Sequence, residues 1–465
     1  MPKNLATNKN WGKLTTLPLA AIGISSIFGL RNLPVVAEYG LASITLYILA
    51  TLLFFIPSAY VCSYLSKTFE CSGGIYGWVK QILGERLGFV AMWLEWINTV
   101  VSFPMMLSFV IYTFLYAIAP QLAHGSSTLQ FIIFIGLFWG VSFLSTFGLV
   151  VSSKFITLFV MLGTLLSAAI ISILGIIWLI DGNKPEISFS AQHLIPDLHI
   201  GTLAFLISVV NGFSGIQSIG FHRNESQSPE STIPRAIKLT VIIILLFSLI
   251  TTLAIAIVIP HDKLILIGGI IQAIHFLFTN YGLGWLEPIV VSLIGLGVLA
   301  EVTSWIIGPS KGIAEASHSG YIFKKWGKYN SKGVPVNVLL VQCVISTILA
   351  SIILFTPSIS FAYWLLSALT GQFALLMWVL VFTSILYYTL KNKIDRLWLK
   401  LSSIVGLLVC LIITIFGYLP PSNIIKTTNE IILYEIFLIS GLVVFVITPL
   451  LIHYFRSKIK LRQFG

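Results

Sequence analysis

Charge is what this sequence has least of. Only 9% of its 465 residues are Asp, Glu, Lys or Arg, against about a quarter in a soluble globular domain. A chain so poor in charge cannot cover a water-facing surface. With 57% hydrophobic residues and a mean hydropathy of +0.98, it reads as an all-α integral membrane protein embedded in a lipid bilayer. Cysteine is also scarce. Cys62, Cys71, Cys343 and Cys410 show no Cys-x-x-Cys spacing, which excludes a disulfide framework or zinc site built on them and leaves core packing. None of the eight histidines is spaced as a metal ligand within one apolar run, so no metal or cofactor is expected. The H-E-x-x-H, G-x-S-x-G and P-loop patterns are missing, and no long polar segment separates the apolar runs. An integral-membrane enzyme or a sensor therefore has no motif behind it. The formal net charge of +11 would suit a nucleic-acid partner only if the basic residues clustered on one folded face. They lie between apolar runs instead, and no nucleic acid is expected.

What is present is a series of apolar runs. A helix needs about 20 mostly apolar residues to cross the hydrocarbon core. Twelve runs qualify, here called spans 1 to 12: residues 15–36, 41–65, 88–119, 129–149, 152–180, 200–221, 237–260, 287–310, 335–356, 360–390, 397–419 and 430–455. With both termini cytoplasmic, 23 of the 27 Lys and Arg residues fall on the inner side, the exceptions being Arg31, Lys184, Lys263 and Lys426. This asymmetry is the positive-inside pattern of a bacterial-type inner (plasma) membrane protein. The segment 264–282 is also apolar, but if it crossed, the Lys324–Lys332 cluster would move outside; it is read as an outer or re-entrant piece. An alternative for Lys3, Lys9 and Lys13 is a signal peptide cut after "VVA" at Val35–Ala37, which leaves eleven spans and breaks the charge pattern. Asn224-Glu225-Ser226 matches a glycosylation site but lies on the inner side in this topology.

Two runs are interrupted in the same way. Span 1 contains "GISSIFG" (Gly23–Gly29) and span 6 contains "NGFSGIQSIG" (Asn211–Gly220), five spans apart. The same offset relates Glu95-Trp96 in span 3 to Glu301 and Trp305 in span 8. Paired Gly-interrupted spans in two halves mark inverted repeats and point to a binding site. The expected organisation is a cytoplasmic segment 1–14, a first repeat 15–180 (spans 1–5), a second repeat 200–390 (spans 6–10), spans 11 and 12 at 397–455, and a short cytoplasmic tail 456–465. An unwound turn frees backbone amides and carbonyls, tolerable in a bilayer only where they face protein, water or a ligand. Such ends suit a zwitterion, the amides taking a carboxylate and the carbonyls an ammonium. Gly23, Ser25 and Ser26 permit the break in span 1; Asn211, Gly212, Phe213, Ser214 and Gly215 form the one in span 6. The competing reading is close helix packing through small residues.

The stretches "GVLAEVTSWIIGPSKG" (Gly297–Gly312), "FFIPSAYVCSYLSKTFECSGGIYGWV", "HRNESQSPESTIPRA" (His222–Ala236) and "SKGVPVNVL" resemble the amino acid–polyamine–organocation superfamily, and within it the bacterial glutamate:GABA antiporter group. The resemblance covers nearly the whole chain. It implies a secondary amino-acid transporter, an antiporter or permease working by alternating access, with a small-molecule amino-acid substrate held between spans 1, 3, 6, 8 and 10. Glu301 and Trp305 would line that cavity. Three departures stand out: the family's sixth-span Gly-x-Glu is Gly215-Ile216-Gln217, a first-span tyrosine aligns with Arg31, and tenth-span tyrosines align with Ala374 and Trp378. The antiporter's long cytoplasmic plug is not expected, since the chain stops at Gly465.

Exchange of amino acids is thus the leading function, with proton-coupled uptake of an amino acid or amine as the alternative. Glu95 and Glu301 are the candidate proton carriers, since a buried carboxylate costs about 2.5–3.5 kcal/mol on insertion scales; a structural role for Glu95 stays open. Glu287 and Glu435 lie near span ends and are read as solvated. Arg31 either snorkels to the outer headgroups or turns into the cavity, to pair with a carboxylate such as Glu301 or draw in the substrate's anionic group. The candidate substrate site is Gly23, Ser25, Ser26, Arg31, Asn211, Gly212, Phe213, Gln217, Glu301 and Trp305. The topology has a direct check: in a cysteine-free background, an impermeant thiol reagent applied to intact cells labels cysteine placed at His275 and leaves cysteine at Lys328 unlabelled. Labelling at Lys328 refutes the twelve-span arrangement.

Overall fold

The computed structural model describes residues 14–464, apart from 72, 124–126, 197–202, 204–205, 261–262, 266–267, 355–358, 421–424 and 426. Residues 1–13 of the expected N-terminal segment, with Lys3, Lys9 and Lys13, lie outside the described residues. The architecture is all-helical, with no strand among the described residues. Among the described residues, ten helices are long and apolar enough to cross a membrane. They account for every expected span except two. Span 6 is divided into Leu206–Asn211, a turn, and the 3-10 segment Ile216–Glu225. Span 9 is the 15-residue helix Val336–Ala350 followed by a 3-10 turn. The segment beyond span 7 forms a 12-residue helix, Gly269–Asn280.

Burial ranks the helices. The most apolar window of Thr16–Ala37 is 94% buried and that of Thr428–Ile452 only 11%, so span 1 runs through the middle of the bundle and span 12 along its edge. A helix that is apolar all round must meet either protein or lipid on every side. The exposed Leu, Ile and Val side chains of spans 11 and 12, such as Leu408, Ile412, Ile436 and Val444, are the lipid-facing part.

Small residues let the central helices approach backbone to backbone. A Cβ on Gly163, in a π-helical turn of span 5 (Val160–Leu165), would come within 2.1 Å of the Leu293 carbonyl oxygen of span 8. Gly23 lies inside the regular helix Thr16–Ile27, where a Cβ would meet Ile219 at 2.7 Å and Thr240 at 2.8 Å. Gly23 is therefore a packing residue of span 1, and the break begins one turn later, at Phe28.

One end of the bundle is tied together by span 6. Leu14 donates its N–H to the Glu225 carbonyl (2.7 Å) and accepts from Gln227 (3.0 Å). Arg223 donates to the Ser66 carbonyl of span 2, and Lys311 of span 8 forms an ion pair with Glu225. Lys311 is thus more than a topology signal, for it is buried and paired. Removing one partner of a buried pair costs about 3–5 kcal/mol, whereas replacing both by apolar groups is often neutral. Lys311→Met is expected to lower the melting temperature strongly at neutral pH, with Lys311→Met/Glu225→Leu recovering most of the loss. Equal melting of single and double variants refutes the pairing.

Candidate functional site

Both glycine-interrupted spans are broken, and the two breaks touch. Span 1 is helical to Ile27, turns at Phe28 (ψ 79°) and Gly29 (ψ 107°), continues as a 3-10 turn, Leu30–Asn32, and resumes at Leu33–Ala37. In span 6 the turn ends at Gly215, whose φ of +129° favours glycine. A Cβ there would lie 2.6 Å from the Ser26 carbonyl oxygen, so only glycine lets the two breaks meet.

Between them lies a polar cavity bounded by spans 1, 3, 6, 8 and 10. Its walls include Ser26 and Arg31, Asn98 and Ser102, Asn211 and Ser214, Glu301 and Trp305, and Ser367 and Thr370. Arg31 forms an ion pair with Glu301 in the cavity wall, each side chain less than a tenth exposed. The sequence left Arg31 open between snorkelling and the cavity; its guanidinium is in the cavity. Gly29 makes that possible, since a Cβ on it would sit 2.9 Å from Arg31 Nη1. The fork is not used up by Glu301: Arg31 Nε is buried with no hydrogen-bond partner among the described residues. Around the pair, Ser26 Oγ bonds Ser304 Oγ (3.0 Å), Tyr363 donates to Asn32 Oδ1 (3.3 Å), and Trp378, at a position aligned with a family tyrosine, donates to Ser214 Oγ (3.0 Å).

The expected site residues divide. Ser26, Arg31, Asn211, Glu301 and Trp305 line this cavity. Gly212 and Phe213 face a smaller adjoining one behind Ile27, shared with Asn32 and Ser208. Ser25 is buried with no hydrogen-bond partner for its hydroxyl among the described residues, and Gly23 serves packing. Gln217 is fully buried away from the cavity, donating from Nε2 to Glu95 Oε1 (2.9 Å). The two carboxylates matched in sequence thus sit differently, Glu301 in the wall beside an arginine and Glu95 behind it beside an amide. Sequence reasoning missed the hydroxyls and amides of spans 3 and 10, although Asn98, Thr99 and Ser102 lie within two turns of Glu95, on a stretch too apolar for their polarity to be incidental. It also read Glu287 as solvated, whereas Glu287 accepts from Tyr116 (2.8 Å) and lies 3.0 Å from His275 Nδ1. Among the described residues no group of His, Cys, Asp and Glu is arranged to hold a metal.

Comparison with known proteins agrees with this architecture. The model of the family described as amino acid permease matches residues 14–445. The chain is 34% identical over 447 residues to an uncharacterized transporter of Legionella pneumophila, covering 94% of this chain and 95% of that protein. It is 28% identical over 464 residues to a glutamate/gamma-aminobutyrate antiporter of Lactococcus lactis, covering 97% and 92% respectively. It is 24% identical to an amino-acid permease of Bacillus subtilis over 72% of each chain.

The pairing has a stability consequence that can be measured. Arg31→Gln leaves the Glu301 carboxyl buried without its cation, a loss of about 3–5 kcal/mol. Its melting temperature in detergent is expected to drop by several degrees, and Arg31→Gln/Glu301→Gln is expected to melt within a degree or two of the parent. A single variant as stable as the parent refutes the buried pair.

Proposed function

Because the chain belongs to the amino acid permease family, we propose that it is a secondary transporter that exchanges amino acids by alternating access, holding its substrate as a zwitterion between Arg31 and Glu301. The observation that carries this reading is the Arg31–Glu301 pair, placed in the wall of a polar cavity where two broken helices meet. An amino acid brings a carboxylate for the guanidinium and an ammonium for Glu301, so inserting it exchanges one balanced pair of charges for two. Arginine suits the task because its planar fork grips a carboxylate through two parallel bonds, and Arg31 Nε has no partner among the described residues. Glutamate and gamma-aminobutyrate, named for the Lactococcus lactis relatives, both carry the two required groups, and they or a related amino acid are the proposed substrates.

The same reading takes spans 1–5 and 6–10 as inverted repeats, spans 11 and 12 as additions, and both termini as cytoplasmic in a bacterial inner membrane. Under it, the Leu14, Arg223 and Lys311 contacts of span 6 close the cavity on the cytoplasmic side, which fits one closed end of an alternating-access cycle. Proton-coupled uptake is the second reading, favoured by Glu95, a fully buried carboxyl with no ion-pair partner among the described residues.

Counterflow in proteoliposomes tests the proposal. Labelled amino acid is expected to enter only vesicles preloaded with unlabelled amino acid, with molecules lacking either the carboxylate or the ammonium failing to compete. Arg31→Lys is expected to weaken apparent affinity about tenfold or more, since the bidentate grip is lost, and Glu301→Gln to abolish or strongly alter exchange. Parent-like exchange by Arg31→Lys refutes the substrate role of Arg31, and uptake into empty vesicles driven by a pH gradient selects proton-coupled uptake.

A further inference from the structure

A second inference rests on the transport reading but concerns a group outside the substrate cavity. Three carboxyl groups are buried among the described residues: Glu95, Glu225 and Glu301. Glu301 has Arg31 and Glu225 has Lys311. Glu95 has an amide. Its Oε1 accepts from Gln217 Nε2, and its Oε2 has no hydrogen-bond partner among the described residues. An ionised carboxylate with one bare oxygen in the protein interior bears an uncompensated desolvation cost, whereas the acid with its proton on Oε2 bears no charge. The polar cavity is near, since Asn98, three residues along the same helix, lines it.

The surroundings leave Glu95 to titrate by itself. On span 2 the Cys62 thiol faces it. On spans 1 and 8 the charged groups Arg31, Glu301 and Lys311 are taken up in pairs, with Glu225 of span 6 completing the last. On the helix Ile75–Leu83, Lys80 is bonded to Ser319 and Glu85 and lies over Tyr76. Span 6 adds His222 and Arg223, the latter held by Ser66 and Glu230, and span 10 adds Tyr363, bonded to Asn32.

Gln217 links this carboxyl to the moving parts. Its Oε1 accepts the backbone N–H of Gly215 at 2.9 Å, and Gly215 rests on the Ser26 carbonyl in the last helical turn before the break of span 1. One side-chain amide therefore joins Glu95 at one end to the contact between the two breaks at the other. A hydrogen bond to an ionised carboxylate is shorter and roughly twice as strong as one to a neutral acceptor, and bonds in series polarise one another. We propose that Gln217 is a positioning residue that transmits the protonation state of Glu95 to the Gly215 turn, ionised Glu95 holding the turn against span 1 and protonated Glu95 releasing it. The step is the uptake of one proton from water onto Oε2, with no other covalent bond formed or broken.

The test is the rate of amino-acid exchange in proteoliposomes held at equal pH on both sides, at about pH 5.5 and about pH 7.5. The parent is expected to exchange at least about fivefold faster at the acid value. Glu95→Gln, which keeps the volume and cannot ionise, is expected to show a ratio near one. Gln217→Leu is also expected to show a ratio near one although its Glu95 carboxyl is intact; a merely structural residue would slow exchange equally at both values and leave the ratio unchanged. Gln217→Glu retains the size and gives two carboxyls sharing a site, which raises the pH midpoint by at least about one unit. A parent-like ratio in Glu95→Gln or in Gln217→Leu, or an unmoved midpoint in Gln217→Glu where Gln217→Leu fails to fold, overturns the proposal while amino-acid exchange itself persists. A parent that exchanges with no dependence on pH overturns it as well, and a parent that exchanges nothing under any condition removes the transport reading and this inference together.

Discussion

An arginine inside a hydrocarbon layer must find a counter-charge, water or a headgroup, and Arg31 finds Glu301. Much of the central architecture can be understood from that requirement. For the guanidinium to reach span 8, the helix must stop before Arg31, and it does so at Phe28 and Gly29. For the broken end to be tolerated, its freed backbone must meet protein or a polar cavity, and the Gly215 turn of span 6 lies against it. For Glu301 to be held in reach, span 8 must be locked in register, and its close approach to span 5 at Gly163 and Gly297 does this about one turn away. Charge, break and packing are three aspects of one constraint.

The three buried carboxyls extend the same physics. Glu301 is neutralised by a side chain in the cavity wall, where a zwitterion can compete for both partners. Glu225 is neutralised by Lys311 at the end of the bundle where Leu14 bonds the Glu225 backbone carbonyl and Arg223 ties span 6 to Ser66 of span 2. Glu95 has no paired cation among the described residues, and the cheapest way to keep such a carboxyl in an apolar interior is to leave it protonated. The three carboxyls thus meet one demand in three ways, through an arginine in the cavity wall, a lysine at the end of the bundle and an amide in the interior.

The fold was largely legible because membrane insertion writes itself into the sequence. Ten of the twelve apolar runs are helices of spanning length, and the remaining two fail for local reasons: span 6 is cut by the Asn211–Gly215 turn, and span 9 ends early at Ala350. The broken segments were legible too, since glycine and serine in a long apolar run have few other uses. What failed was assignment at single-residue scale. Gly23 and Gly29 look alike in sequence, yet one packs against Ile219 and Thr240 and the other makes room for a guanidinium, a difference that only the neighbouring helices decide. Lys311 looked like a topology charge because its partner Glu225 lies 86 residues away and behind another span.

Gln217 is the clearest case of a residue whose meaning lies in its partner. Against the family's acidic position it reads as a lost charge. In the structure the missing carboxyl is balanced by one on span 3, for Glu95 stands within hydrogen-bond reach of that side chain. A glutamate at 217 would set two carboxyls against each other with no cation paired to either among the described residues, and like charges at that distance cannot both ionise. Glutamine resolves the conflict with the same number of atoms, donating to Glu95 from one end and accepting from Gly215 at the other.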